Sequence, residues 1–127
     1  MALSANELRI GNYIQDDKGN IEKVYELSFY IYNTINSDYY EGYYQPIPLT
    51  EEWFLKLGAE KDKYGDLCII DPTGINTAFY LVEGFIQWTK DCISPIANFE
   101  HVKYVHQFQN LYFIKTDKEL KMINTEE

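Results

Sequence analysis

The chain has 127 residues, of which 46% are apolar and 17% aromatic, and its formal net charge is −9. This length and apolar content are typical of one folded domain or two very small ones, and they exclude a disordered chain. The negative charge repels phosphate backbones and anionic lipids, so we expect no binding to long nucleic acids or membranes, while a basic protein partner or one small ligand stays open.

Short stretches rich in β-forming residues fill the first 48 residues. Turn residues separate them at Asp16–Asn20 and again at Asn36–Asp38. Four short strands with tight turns predict a small SH3-like β-barrel or bent sheet, which we assign to residues 1–48. The four stretches are, in order, LRIGNYI, IEKVYEL, SFYIYNTI and YYEGYYQPI.

The last of these stretches holds four tyrosines, Tyr39, Tyr40, Tyr43 and Tyr44. Alternate residues of a strand share a face, so one face supplies the core of the lobe and the other presents exposed rings. Tyrosine offers a large contact area with few rotatable bonds and one polar tip. Three interpretations stay open: β-forming residues of a small lobe, a contact with a protein partner or a second copy of the chain, and a platform on which bases stack.

The segment PIPLTEEWFLKLG carries the clearest local signal in the chain. Thr50 is a suitable N-cap, and two glutamates follow it in the first turn, where carboxylates interact favourably with the helix dipole. Leu49 and Phe54 occupy the positions of a hydrophobic staple, and Gly58 suits the residue just past the helix. The pattern predicts a helix from Glu51 to Leu57.

The remaining residues predict three strands and a second helix. The strands are DLCIID, INTAFYLVE and FIQWTK, the last two split at Gly84, and DCISPIAN predicts a loop. AEKDKYGD predicts a polar connection, and KELKMI a short edge strand. Residues 49–127 therefore predict an α-β-β-β-α lobe in which the last long helix packs on an antiparallel sheet. The fold class is α+β, with two lobes or one compact domain.

The second helix is predicted to begin with Asn98 as its cap and to end near Lys115. Its apolar stripe has the i, i+4, i+7 spacing of a helix that lies on a sheet. The members of the stripe are His101, Val105, Phe108 and Tyr112. His106, Gln109 and Asn110 lie on its polar face, where they either face solvent or bind one edge of a ligand.

Few residues could carry chemistry. His101 and His106 are the only histidines, and on one helix they point about 140° apart, so they cannot share a metal ion. The two cysteines, Cys68 and Cys92, lack metal-site spacing and are too few for a disulfide framework. The sequence has no glycine-rich phosphate loop. We expect no catalytic residue, no bound metal and no cofactor, so the protein is predicted not to be an enzyme.

The amino-terminal residues show no basic region followed by an apolar run, so they predict no secretory signal. No stretch approaches the roughly 18 apolar residues that a membrane span needs. Free cysteines that pack as small hydrophobic residues are common in reducing compartments. We therefore expect a cytoplasmic protein with reduced thiols.

Three segments resemble a family of small proteins encoded by bacteriophages and prophages. The segments are NELRIGNYI, PIPLTEEWFLKLG and YVHQFQNLYF followed by TDKEL, and they occur in the family's order. The chain departs from the family at Ala59, where the family has an aromatic residue, and at Lys115–Asp117, where it has a Leu-Thr-Gly turn. The family has no assigned activity, so the resemblance implies a phage-linked origin in a host cytosol and carries over no catalytic residues.

Two functional hypotheses follow. The first is a non-catalytic protein-interaction module that binds a host protein. The alternative is a protein that sequesters a small nucleotide-like second messenger, and in either case a homo-oligomer contact stays open. The candidate binding residues are Tyr39, Tyr40, Tyr43, Tyr44, Trp88, His106, Gln109 and Asn110.

Overall fold

A computed structural model describes residues 8–24 and 44–123. In chain order, the elements within these ranges are β1 (Tyr13–Gln15), β2 (Ile21–Lys23), α1 (Glu51–Lys56), β3 (Glu60–Lys61), β4 (Leu67–Ile70), β5 (Thr77–Val82), β6 (Phe85–Lys90), β7 (Ser94–Phe99) and α2 (Val105–Thr116). Strands β1 and β2 form one antiparallel sheet, and β3 to β7 form a second, in sequential order. None of the helices in this part of the chain is long and apolar enough to cross a membrane.

The α+β prediction is confirmed. Both sheets are open rather than closed into a barrel within the described residues. The first predicted hairpin is present, because the Asp16 carboxylate accepts hydrogen bonds from the backbone N–H groups of Lys18 and Asn20, at 2.9 Å each, and so fixes the turn between β1 and β2. The third predicted strand and most of the fourth fall in residues 25–43, outside the described ranges, so the SH3-like character of residues 1–48 stays a prediction.

Helix α1 forms where its capping signals predict it. The Thr50 hydroxyl accepts a hydrogen bond from the backbone N–H of Trp53 at 3.2 Å, and Leu57 is the C-cap. Leu49 and Phe54, the residues of the predicted staple, are both buried. Gly58 follows with a φ of +105°, which glycine adopts without the steric cost that a side chain brings.

Helix α2 covers one face of the five-stranded sheet, as predicted. Val105, Phe108 and Tyr112 are buried, and the Phe108 ring meets the Phe79 ring of β5 edge-on, with 5.6 Å between ring centres. Tyr13 of β1 belongs to the same hydrophobic core. The core therefore joins the first sheet, both helices and one face of the second sheet.

The start of α2 was predicted wrongly. Residues 94–99, predicted as the end of a loop and a helix cap at Asn98, form strand β7, and α2 begins only at Val105. Asn98 instead accepts a hydrogen bond from the Gln87 side chain on β6 at 2.9 Å, so cross-strand pairing replaces capping. His101 consequently precedes the helix and is exposed, rather than lying on its apolar stripe.

The five-stranded sheet also has two more strands than predicted. Besides β7, the polar connection after α1 contains β3, a two-residue strand. β7 carries Pro95 and an extra residue, Ile96, at a shift in its register with β6. The predicted edge strand KELKMI is absent: in the described part of this segment, Leu120 is buried as part of the core without strand pairing.

The hairpin between β5 and β6 turns at Glu83 and Gly84, which have φ angles of +53° and +85°. A methyl group at Gly84 would contact nothing within 4 Å, so its cost would be conformational only. We expect Gly84→Ala to lower the free energy of unfolding by about 1–2 kcal/mol in urea titrations. Glu83→Asn should have the opposite sign, because asparagine tolerates this backbone conformation. Equal unfolding midpoints for Gly84→Ala and the parent protein would contradict this account.

Candidate functional site

The predicted tyrosine surface is represented in the structure by Tyr44 alone, since Tyr39, Tyr40 and Tyr43 lie outside the described residues. Tyr44 is buried in a small cluster with Leu8, Ile14 and Val24. Its ring belongs to the interior of the first lobe. Tyr44 therefore does not supply an exposed ring for a ligand.

Trp88 takes part in a polar network inside the fold. Its indole N–H donates to the Asp71 carboxylate at 3.0 Å, and the ammonium group of Lys115 lies 3.4 Å from the centre of its ring. Asp71 is fully buried and also accepts hydrogen bonds from the backbone N–H and hydroxyl of Thr73, at 2.9 and 2.6 Å. The network joins β6, the turn after β4 and the last turn of α2, so Trp88 is held in place from both sides.

The pKa of Asp71 reflects this network. Burial alone would raise it, but the hydrogen bonds from Thr73 and Trp88 and the charge of Lys115 lower it more, so the pKa lies below its ordinary value of 3.8. Asp71 is therefore ionised at neutral pH and stabilises the folded state as an anion.

Gln109 is fully buried and uses its amide group to join three parts of the chain. Its carbonyl oxygen accepts the backbone N–H of Tyr13 at 2.9 Å. Its amide nitrogen donates to the backbone carbonyl groups of Gly11 and Leu120, each at 2.9 Å. The amide thus satisfies backbone groups that have been removed from water, which is a structural role.

The face of α2 that was predicted to be polar lies inside the protein. His106 is also fully buried, with the Tyr104 ring stacked beside it, and Asn110 accepts a hydrogen bond from the Asn12 side chain at 2.9 Å. His106 and Gln109 were predicted to lie on a polar face that is exposed to solvent or to a ligand, but both are fully buried, and the first lobe packs against the helix at Gln109. Among the candidate residues within the described ranges, the structure brings His106, Gln109 and Asn110 together on α2, and Asn110 also lines a cavity of about 400 Å³ with Arg9 and Leu111.

The structure has a cleft elsewhere, on the face of the five-stranded sheet that points away from α2. We call this the outer face; its residues are Cys68, Ile70, Ala78, Tyr80 and Val82. A cavity of about 730 Å³, the outer cleft, lies over it and is lined by Ile70, Thr77 and Asp91 among others. A neighbouring cleft of about 680 Å³ shares Tyr80 and Cys92 with it. These volumes suit a small ligand or a side chain and its flanking backbone.

Asp62 is held rigidly at this cleft. One oxygen of its carboxylate accepts the backbone N–H groups of Tyr64 and Asp66, at 2.8 and 2.9 Å, and the other accepts the Tyr80 hydroxyl at 2.6 Å. The Tyr80 hydrogen bond, and after it that of Asp66, lowers the pKa of Asp62. Burial and the same hydrogen bond raise the pKa of the Tyr80 phenol, so Tyr80 stays a donor. The cleft therefore keeps a fixed negative charge at neutral pH.

The groups that could act as nucleophiles at the cleft are not activated. Cys68 is buried and Cys92 half-buried, and both are free thiols. Burial raises the pKa of the Cys68 thiol, which keeps it protonated. His101 and His106 do not line the cleft, so no imidazole stands beside either thiol. Within residues 8–24 and 44–123, no three His, Cys, Asp or Glu side chains are grouped so that they could hold a metal ion.

We did not predict the outer face from the sequence, although the alternation of residues in β5 indicates that a second face exists. TAFYLV alternates, so Phe79 and Tyr80 must point to opposite faces, and only one of them can meet α2. The partner of Tyr80 is Asp62, which lies 18 residues away on a connection that its mixed charges made look solvated. Local patterns do not show that this connection folds back to the sheet.

Comparison with known proteins adds no relative: no protein-family model, no curated protein and no solved structure matches the chain.

We expect Gln109→Leu to lower the free energy of unfolding by more than about 3 kcal/mol, because each buried backbone group that loses its partner costs about 1–3 kcal/mol. Urea unfolding followed by circular dichroism measures the change. Ile114→Ala is the control, since Ile114 lies on the same helix and is exposed; it should shift stability by less than about 0.5 kcal/mol. A Gln109→Leu protein as stable as the parent would contradict the structural role.

The lowered pKa of Asp71 makes a prediction for acid stability. Its contribution is complete above the ordinary pKa of 3.8 and is lost as the pH falls through the lower pKa of the folded state. Asp71→Asn lacks this contribution, so the difference in free energy of unfolding between the two proteins should narrow below pH 3.8. Urea titrations above and below that pH measure it. A difference that stays constant across the range would be inconsistent with an ionised, hydrogen-bonded Asp71.

Proposed function

We propose that this chain is a non-catalytic binding protein of phage or prophage origin that docks onto a protein of its bacterial host through the outer face. The origin is supported by the three resembling segments, which include the α1 and α2 sequences. The docking role is supported by the outer face, and the observation that carries it is the exposure of apolar side chains there.

Ile70 is 63% exposed on the outer face, and Ile93 is 67% exposed at the neighbouring cleft. A sheet covered by a helix on one side commonly presents polar side chains on the other. Here isoleucines stand beside Ala78 and Val82 instead. Exposed apolar residues that are grouped at a cleft and surrounded by polar ones are typical of a protein interaction site.

The charges at the clefts indicate a basic partner. The acidic residues that line the clefts are Glu51, Glu60, Asp62, Asp66 and Asp91; Asp71 also borders the outer cleft, but its carboxylate is buried beside Trp88 and Lys115. Among the described lining residues, the cations that oppose them are Lys61 and Lys63. This local excess has the same sign as the net charge of −9, so both attract a positively charged surface and speed its association.

A non-catalytic role fits the state of the residues at the clefts. The thiol of Cys68 and the phenol of Tyr80 are kept protonated by burial, and Asp62 already accepts three hydrogen bonds. A general base needs a free lone pair and a pKa near the working pH, and a nucleophile needs an activating neighbour. These groups meet neither requirement.

The alternative function, sequestration of a nucleotide-like second messenger, is favoured by one observation. The outer cleft, at about 730 Å³, lies within the range of small-molecule sites. Its carboxylates repel a phosphate group, and for this reason we place protein docking first. Native mass spectrometry of protein purified gently from bacterial cells separates the two, because a bound mass of a few hundred daltons that is lost on unfolding would favour the small ligand.

Capture from bacterial lysate with matched variants tests the docking role. We expect the double variant Ile70→Glu, Ile93→Glu to lose at least about tenfold of a captured partner, since it places carboxylates in apolar contacts of an already acidic surface. Ile114→Glu is the control, because Ile114 is also exposed but lies on α2, away from the outer face. A partner retained equally by both variants would place the binding surface elsewhere and overturn the proposal.

A further inference from the structure

We propose that Cys68 and Cys92 form a reversible disulfide bond across the outer face, with hydrogen peroxide as the oxidant. This inference goes beyond the proposed function and does not depend on it, because it concerns a chemical change within the chain rather than a partner. It is carried by the position of both thiols beside one hydroxyl group and by the backbone conformation of Cys92.

The two thiols meet at the hydroxyl group of Tyr80. Cys68 pairs directly with Tyr80 across β4 and β5, and Cys92 lines the outer cleft with them, although it lies on the turn between β6 and β7. Hydrogen bonds join the Tyr80 hydroxyl to each thiol, so the sulfur atoms lie no further apart than about two hydrogen-bond lengths. Rotation of the two side chains about their Cα–Cβ bonds moves both sulfur atoms and can close this gap to the length of a disulfide bond.

The turn that carries Cys92 is unusual for the residues that form it. The backbone N–H of Ile93 donates to the carbonyl group of Lys90 at 3.2 Å, and Asp91 and Cys92 between them have φ angles of +55° and +69°. These are the φ angles of a type I′ turn, in which glycine is usual at the position of Cys92. A side chain keeps such a backbone where its surroundings hold it. Here the Cys92 thiol donates a hydrogen bond to the Asp62 carboxylate, so the turn directs this thiol into the cleft.

The two thiols differ in access to solvent. Cys92 is half-buried and lines both clefts, whereas Cys68 is buried. Burial also raises the pKa of the Cys68 thiol, so direct oxidation of Cys68 is disfavoured. Hydrogen peroxide is small and uncharged, and the acidic residues at the clefts therefore do not repel it. We infer that peroxide reacts with Cys92 first.

The reaction has two steps. The Cys92 sulfur attacks one oxygen of hydrogen peroxide, the O–O bond breaks, and a sulfenic acid and one water molecule form. The Cys68 sulfur then displaces this oxygen from the Cys92 sulfur, and the oxygen leaves as a second water molecule that carries the Cys68 proton. The two thiols together lose two electrons and two protons, and these reduce one peroxide to water.

The bond joins the turn between β6 and β7 to β4, across β5. Disulfides in a reducing cytosol are usually transient and respond to oxidants. The bond is therefore expected to form when peroxide is in excess and to be reversed by thiol reductants, which attack one of its sulfur atoms.

Treatment of the native protein with limiting hydrogen peroxide tests this. We expect an intact mass lower by two hydrogen atoms, loss of both thiols to maleimide labelling after denaturation, and recovery of both with dithiothreitol. Peptide mapping should join Cys68 to Cys92, and non-reducing electrophoresis should show that the bond lies within one chain.

Cys68→Ser separates the two steps. Oxidised Cys92 then has no thiol to react with, so dimedone, which labels sulfenic acids, should mark Cys92 in this variant but not in the native parent protein. In urea the fold no longer holds the thiols together, and dimedone should mark Cys92 of the parent protein as well. Cys92→Ser leaves the buried Cys68 alone, and its oxidation should be at least about tenfold slower.

Three results would overturn the disulfide: native parent protein with Cys92 marked by dimedone and Cys68 still free, bonds that form only between chains, or two thiols that both resist peroxide. Circular dichroism of each variant checks that it is folded. None of these results bears on docking, because the Ile70→Glu, Ile93→Glu variant tests that role separately in reducing buffer.

Discussion

The amide group of Gln109 holds together parts of the chain that are nearly 100 residues apart in sequence, since it bonds Gly11 and Tyr13 on one side and Leu120 on the other. All three partners are backbone groups inside the protein, where water cannot replace the amide. The position of α2 relative to β1 is therefore set by hydrogen bonds with defined directions as well as by apolar contact. The sheet beneath α2 takes its place through Phe79 and Phe108, which pack on the other side of the same helix.

This arrangement also decides where the protein can act. The amide and imidazole groups of α2 are enclosed when the first lobe packs on it, and Trp88 is held between Asp71 and Lys115. Polar groups that look available in the sequence are thus committed to the fold. The surface that we propose for a partner is the opposite side of the sheet, where a rigid carboxylate and exposed isoleucines lie together. The side chains that build the fold and those of the proposed docking surface therefore lie on opposite faces of one sheet.

Elements that depend on interactions between residues close in sequence were predicted correctly, and those that depend on distant residues were not. Helix α1 is predictable because Thr50, Leu49 and Phe54 act within one turn of each other, and the turn at Gly84 is predictable because its backbone conformation is local. Strand β7 could not be predicted, because Pro95 and Asn98 are typical of a loop and a helix cap. Only the pairing with β6 makes this segment a strand. The burial of Gln109 and the pairing of Tyr80 with Asp62 depend on partners 96 and 18 residues away, and no periodicity records such distances.

The strands at the two edges of the larger sheet are poor templates for another strand. β3 has only two residues, both charged, while β7 contains Pro95, which offers no N–H, and a bulge at Ile96 that breaks the regular spacing of its hydrogen-bonding groups. Such edges oppose the growth of the sheet from one molecule into the next. We therefore expect neither edge to add a further strand, so the docking that we propose depends on side chains rather than on an extension of the sheet.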